Sequence, residues 1–145
     1  MTGIELWNRF MEENNLADCE YEAWAFGVDA DLLAHLVVTG TKTATASAYP
    51  LYEVEKEPLP QAGAYSVILD SNDNAVCVIQ TTKVAVVPFD EVTADHAYKE
   101  GEGDRSLDYW RKVHESFFTE CMSEAGLKLT PDIKVVCEEF VVVYK

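Results

Sequence analysis

The chain has 145 residues, of which 48% are hydrophobic and 26% are charged, and it carries a formal net charge of −15. This length suits one domain with a single core, and no apolar run approaches the roughly 20 residues that cross a bilayer. The negative charge disfavours long nucleic acids as partners, because phosphate binding relies on clustered lysine and arginine. We therefore expect a cytoplasmic protein with no membrane association and a small neutral or cationic ligand.

The first part of the chain predicts two helices with an extended segment between them. Residues 4–14 carry an apolar stripe at helical spacing, formed by Ile4, Leu6, Trp7, Phe10 and Met11. Residues 21–27 alternate aromatic residues with alanine and predict a short extended segment. Asp29 is a suitable N-cap for a second helix that has Leu32 in its stripe and ends at Gly40.

The stretch TGTKTATASA, residues 39–48, follows that helix, and its hydroxyl and alanine side chains alternate with a period of two. Thr45 and Ser47 fall on one face of the predicted strand, and small alanines fall on the other. Lys42 can approach Thr45 only if Lys42 lies in the turn that leaves the helix. A hydroxyl beside an amine is one way to build a nucleophile with its own base. The alternative is an exposed lysine followed by ordinary strand-forming threonines.

The rest of the chain predicts a mixture of strands and helices. Residues 50–62, rich in proline and glutamate, predict a surface loop or lid. The elements predicted after it are strands at 64–69 and 75–87 joined by a turn, a helix capped by Thr93, a helix from Asp104 or Ser106 to about Ala125, and a last strand at 133–145. Few helices separate the strands, so we expect an α+β fold, a small mixed β-barrel surrounded by helices.

Three further features bear on chemistry: an acidic segment, the aromatic residues, and the cysteines with the histidines. The acidic segment at 99–104, KEGEGD, reads as a solvated linker, as a weak cation site, or as a source of a general acid or base, and the residues alone leave these three open. Tyr49 is the best placed aromatic for stacking on a planar base, whereas Phe26 and Trp110 suit the core. The four cysteines and three histidines lack the spacing of a ligand set, so we predict neither a metal nor a cofactor.

Three stretches carry a resemblance to a known family. They are GTKTATAS at 40–47, QAGAYSVILDSNDNAVCVIQTTKVAVVPFDEV at 61–92, and HAYKEGEGDRSLDYWRKVHESFF at 96–118. Together they resemble the ASCH family, whose fold is a PUA-like β-barrel, from about Tyr21 to Tyr144. The resemblance implies one domain over residues 1–145, with a helical N-terminal extension of about 20 residues.

The resemblance also implies an activity and its residues. Small members of the family are amidohydrolases that remove acyl groups from N4-acetylcytidine and related cytosines, using the lysine and threonine of G-x-K-x-x-T with a later glutamate. These correspond to Lys42, Thr45 and Glu100, with Glu102 as a neighbouring competitor. Two mechanisms stay open: attack by Thr45 with neutral Lys42 as base, or water activated by Glu100 while Lys42 and Thr45 stabilise the oxyanion. The residues expected to bind substrate are Phe26, Ser47, Tyr49, Glu102 and Arg105.

The family includes proteins linked to RNA binding or ribonuclease activity, and this is the alternative function. It requires cations near Lys42, for which the available residues are Lys83, Arg105 and Arg111. Because the net charge opposes a phosphate backbone, we expect a nucleoside rather than RNA as the partner.

Overall fold

The computed structural model describes residues 1–17 and 19–145, and its elements follow the sequence periodicity closely. Within these residues the helices are α1 (Gly3–Glu13), α2 (Ala30–Val38), α3 (Tyr49–Glu55), α4 (Ala94–Glu100) and α5 (Leu107–Glu124), and the strands are β1 (Tyr21–Ala25), β2 (Ala44–Ala48), β3 (Tyr65–Leu69), β4 (Ala75–Pro88) and β5 (Lys134–Tyr144). The predicted caps are confirmed, since the side chain of Asp29 accepts from Leu32 N and that of Thr93 accepts from His96 N. None of the helices in the described part of the chain is both long and apolar enough to span a membrane.

The five strands form one curled sheet in the order β1, β3, β4, β5, β2. Only β1 and β3 pair in parallel, and the other neighbours are antiparallel. The long strand β4 shifts register against β5 near Ile79 and again near Lys83, and such bulges bend a strand and increase its twist. The result is a half-barrel, which confirms the predicted α+β class and mixed sheet.

Helices cover this sheet and bury its apolar positions. Helix α1 packs Leu6, Trp7 and Phe10 against the β3–β4 hairpin. Two residues predicted for the apolar stripes, Ile4 in α1 and Leu32 in α2, are instead 51% and 52% exposed. Each lies at the side of its helix that turns away from the sheet, so the buried stripe is narrower than the sequence pattern suggested.

The segment predicted as a loop or lid begins with a helix, and this prediction was wrong for residues 50–55. Pro50 lies in the first turn of α3, where a proline costs no hydrogen bond because the first helical amides have no intrahelical partner. The αL residue Lys56 ends the helix. Only residues after it form the irregular stretch that lies over the sheet.

Two connections bring distant parts of the chain together. The turn from α2 into β2 places Lys42 beside the end of α4, where Thr43 N donates to Lys99 O at 2.7 Å. Gly101 ends α4 with a φ of 72° and lies against the carbonyl of Thr41. The two short motifs singled out in the sequence are therefore in direct contact.

Candidate functional site

A cleft of about 1070 Å³ opens inside the curl of the sheet. The residues predicted from the sequence that line it are Phe26, Lys42, Thr45, Ser47, Glu100 and Glu102. They come from the end of β1, the α2–β2 connection, β2 and the end of α4. The half-barrel therefore gathers into one cavity side chains that lie up to about half the chain apart.

Lys42 is almost fully buried although it carries an amine. Gly40, with a φ of 83°, reverses the chain after α2, and Leu36 O accepts from both Thr41 N and Lys42 N. Lys42 thus lies in the turn that leaves the helix, which is the condition for it to approach the face of β2 that carries Thr45. Its Nζ atom lies 5.2 Å from the centroid of the Phe26 ring.

The Lys42 amine is held between two carboxylates. Nζ lies 3.3 Å from Glu100 Oε1 and 2.8 Å from Glu102 Oε2, and it also donates to Glu100 O at 3.4 Å. The sequence left open which of the two glutamates joins Lys42, and both do. In both contacts the Lys42 amine is the hydrogen-bond donor and a carboxylate oxygen is the acceptor.

Glu100 is surrounded by hydrogen-bond donors. His96 Nε2 lies 2.7 Å from Oε2, which also accepts from Trp110 Nε1. His114 Nε2 lies 3.5 Å from Oε1, the oxygen that faces Lys42. The His114 ring is held in place through Nδ1, which lies 2.9 Å from Trp110 O. A buried carboxylate is tolerated here because it is paired on both oxygens.

The electrostatics of this group fix two protonation states. Burial acts to raise the pKa of Glu100, but the hydrogen bonds from His114 and His96 and the charge of Lys42 outweigh it, so the pKa lies well below its ordinary value. Burial acts to lower the pKa of His96, but interactions with the side chains of Cys137 and Glu100 raise it to about 9. At neutral pH Glu100 is therefore ionised and His96 is an imidazolium.

The His96 imidazolium predicts a loss of stability in alkali. Its pKa rises from 6.5 to about 9 on folding, so its contribution is complete below pH 6.5 and disappears as the pH rises through 9. We expect the free energy of unfolding to fall by about 3 kcal/mol across this window, as measured by urea denaturation. His96→Gln should remove most of this fall, and the exposed His35→Gln serves as the matched control. An unchanged pH dependence in His96→Gln would contradict the assignment.

The same cluster has the spacing of a metal site. One ligand atom each from Glu100, Glu102 and His114 lies within 4.8 Å of the others. However, the Lys42 ammonium already bridges the two carboxylates, and a divalent cation bound there would be next to that positive charge. The donor set is therefore satisfied by Lys42, and we interpret the cluster as an ion-pair network.

Two predicted substrate-binding residues are not among the described residues that line the cleft. Tyr49 begins helix α3 outside the cleft, and the Tyr49 ring lies 5.5 Å from Lys134 Nζ. Arg105 instead lies outside the cleft and contacts both the turn that carries Lys42 and helix α4. Its side chain donates to Tyr98 O at 3.0 Å and to Thr41 O at 3.2 Å. Arg105 thus holds the Lys42 turn against the end of α4.

Sequence reasoning missed several residues of the site, although two signals were present. His96 and Glu100 are four apart on α4, as Trp110 and His114 are on α5, and residues at this spacing share a helix face. The other signal is a carboxyl pair inside the apolar run VVCEEFVVV of β5. The first member of this pair, Glu138, lines the cleft beside Tyr52, which takes the place predicted for Tyr49.

Comparison with known proteins agrees with this architecture. A family model described as the ASCH domain matches residues 22–144. The chain belongs to the ASCH domain family. This confirms the family and the PUA-like fold expected from the sequence, with α1 lying before the matched region.

Solved structures resemble this ASCH domain over nearly its whole length. An ASCH domain from Lactobacillus crispatus JV V101 is 28% identical with a TM-score of 0.91, covering 99% of this chain and 94% of that one. Protein EF3133 from Enterococcus faecalis V583, of the family model DUF984, is 37% identical with a TM-score of 0.90, covering 98% and 88% respectively. No curated protein matches the chain.

Proposed function

We propose that this ASCH domain is an amidohydrolase that removes the acyl group from N4-acetylcytidine or a related N4-acylated cytosine nucleoside. The observation that carries the proposal is the meeting of Lys42 with Glu100, 58 positions later in the chain, in a cleft that Thr45 also lines. These are the three residues that the family resemblance assigns to the reaction. The cleft volume lies at the upper end of the range for small-molecule sites and accommodates a nucleoside.

The charge of the cleft supports a substrate without phosphate. Six carboxylates line it, those of Glu20, Glu22, Glu57, Glu100, Glu102 and Glu138, whereas Lys42 is the only lysine or arginine among the described lining residues. That lysine is already paired with Glu100 and Glu102. A phosphate group would be repelled in such a cleft. A nucleoside or free base is therefore favoured over a nucleotide or RNA.

The ion pairs of Lys42 oppose the first of the two mechanisms that the sequence left open, in which Lys42 is the base. Attack by Thr45 with Lys42 as base requires a free lone pair on the amine, whereas Nζ donates hydrogen bonds to both carboxylates. Lys42 instead donates to the carbonyl oxygen of the amide, which replaces its long 3.4 Å bond to Glu100 O, with the Thr45 hydroxyl as a second donor. Such preorganised donors stabilise the oxyanion as it forms. Glu100 acts through Lys42 by holding its amine in place.

The test is turnover of N4-acetylcytidine by the purified protein, followed by the appearance of cytidine. The wild type should act on the nucleoside and at least about 10-fold less efficiently on its 5′-monophosphate, as judged by kcat/KM. No turnover of N4-acetylcytidine or of its longer-chain acyl analogues would refute the proposal. Salt-dependent binding of oligonucleotides without turnover would indicate the RNA-binding alternative.

Thr45 variants test its role in the same assay. If Thr45 is an oxyanion donor, Thr45→Ala should lose about 10²-fold to 10³-fold in kcat, and Thr45→Ser should lose much less because it keeps the hydroxyl. Thr82→Ala, at an exposed position of β4, is the matched control and should behave as wild type. Mass spectrometry of quenched reactions adds a direct check, since an acyl adduct on Thr45 would show that Thr45 is instead the nucleophile.

A further inference from the structure

The hydrolysis proposed above needs a group that exchanges protons, and Glu100 is poorly suited to this task. A carboxylate offers about four lone-pair sites, and three side-chain hydrogen bonds already occupy those of Glu100, while His114 Nε2 lies 3.5 Å from Oε1. Lys42 and His114 face Oε1, while His96 and Trp110 face Oε2. The side chain is also almost completely buried. A water molecule would have to displace one of these donors before Glu100 could accept its proton.

A second carboxyl group lies on the sheet beside Thr45. Glu138 in β5 is the cross-strand partner of Thr45 in the antiparallel β2–β5 pair. Cross-strand partners point to the same face, with Cβ atoms about 5 Å apart, and both residues line the cleft. Glu138 is half-buried, so it remains open to water and to a ligand.

We infer that Glu138 is the catalytic carboxyl group that takes a proton from the attacking water and delivers it to the leaving amine. This inference rests on the proposed amidohydrolase function. In this mechanism Lys42 and Thr45 stabilise the oxyanion, and their neighbour on β5, Glu138, carries out the proton transfers.

The surroundings of Glu138 suit a proton carrier. Burial raises its pKa, the charge of Glu22 raises it further, and hydrogen bonding from the Thr81 side chain partly offsets them. The titratable groups that line the same cleft are Cys19 and Glu20 before β1, Tyr21 and Glu22 in β1, Lys42 before β2, Tyr52 in α3, Glu57 after α3, Tyr65 in β3, Glu100 and Glu102 at the end of α4, and His114 in α5. A carboxyl group of raised pKa is both a better base and, once protonated, a group that still releases its proton near neutral pH.

The reaction balances with this single carboxyl group. Glu138 as a carboxylate accepts a proton from water while the water oxygen bonds to the amide carbon, and the carbonyl electrons move onto oxygen, where Lys42 and Thr45 donate. Collapse of this oxyanion breaks the bond between carbon and N4, and the Glu138 proton moves to N4. The products are a carboxylic acid and the free 4-amino group of cytosine, and Glu138 returns to its carboxylate form.

The experiment compares Glu138→Gln with Glu139→Gln in the N4-acetylcytidine assay. Glu138→Gln should lower kcat by about 10²-fold or more with a smaller change in KM. Glu139 is the adjacent carboxylate, which pairs with Lys99 and Lys83 and is not among the described residues lining the cleft. Its variant should keep wild-type activity. Melting temperatures of both variants show whether either loss reflects unfolding, and Glu138→Asp, which keeps a carboxyl group, should retain partial activity.

The pH profile provides a readout that a structural role would not change. Because the carboxylate form starts the reaction, kcat/KM of the wild type should fall as the pH drops through the pKa of Glu138. Glu22→Gln removes the neighbouring negative charge, so this acidic limb should move to lower pH. Wild-type turnover with full activity in Glu138→Gln, or an acidic limb that Glu22→Gln leaves in place, would overturn the role of Glu138 alone. Absence of turnover in the wild type would overturn the proposed function itself.

Discussion

Lys42→Met should lower kcat severely, while its loss of stability is partly restored by a second change, Glu100→Gln. Removing the main oxyanion donor costs about 10²-fold to 10³-fold in kcat. Removing one partner of a buried ion pair costs about 3 to 5 kcal/mol, because the other charge is left buried without compensation. Here Glu100 would keep His96 and His114, but Oε1 would lose the ammonium.

The double variant separates structure from catalysis. Lys42→Met with Glu100→Gln removes both buried charges of the pair, so its free energy of unfolding should exceed the value expected if the two single changes were additive. Its activity should stay as low as that of Lys42→Met. Lys99, which pairs with Asp95 and Glu139 at the surface, offers a control, since Lys99→Met should lower stability much less than Lys42→Met. Wild-type kcat in Lys42→Met, or strict additivity of the two losses, would contradict the proposed arrangement.

The residues of the site differ in how far sequence could predict them. Lys42, Thr45 and Glu100 lie in short motifs whose resemblance to a family was specific enough to pair them across 58 positions. The geometry of these three side chains was harder to predict from the sequence. Sequence alone could not show which of Glu100 and Glu102 pairs with Lys42. The αL turn at Gly101 brings both side chains to the same amine, and tertiary contacts set the conformation of that turn.

The errors have a common physical origin. Residues 50–55 were predicted as part of a loop because proline and glutamate are frequent there, but Pro50 occupies the helical turn that tolerates proline. The helix then places Tyr52, rather than Tyr49, in the cleft, where the Tyr52 hydroxyl lies 2.7 Å from Ser47 Oγ. Glu138 was missed because its importance arises from strand register. Its pairing with Thr45 joins two segments with more than half the chain between them.

The networks around Lys42 and Glu100 explain why the fold tolerates so much buried charge. The amine, the carboxylate and the His96 imidazolium each have a partner within hydrogen-bond distance. Because these partners come from α4, α5 and the turn before β2, the site and the packing of the helices depend on each other. A backbone change at the junction of α4 and β2 should therefore affect stability and activity together.

Gly101→Ala is the change that tests this dependence most directly, with Gly40→Ala as its matched control. Both glycines have φ in the left-handed region, 72° and 83°, where an alanine costs about 1 to 2 kcal/mol. They differ in their surroundings. A Cβ atom at Gly101 would lie 2.4 Å from Thr41 O and 3.0 Å from Lys42 N, whereas a Cβ atom at Gly40 would have nothing within 4 Å.

Gly40→Ala should therefore show only the backbone cost, and Gly101→Ala should show a larger loss, of about 2 to 5 kcal/mol once the overpacking is included. The displaced atoms belong to the backbone that carries Lys42, so kcat should fall more in Gly101→Ala than in Gly40→Ala. Urea denaturation and the N4-acetylcytidine assay measure the two effects on the same samples. Equal losses of stability in the two variants would mean that the contact between Gly101 and Thr41 does not set the position of Lys42.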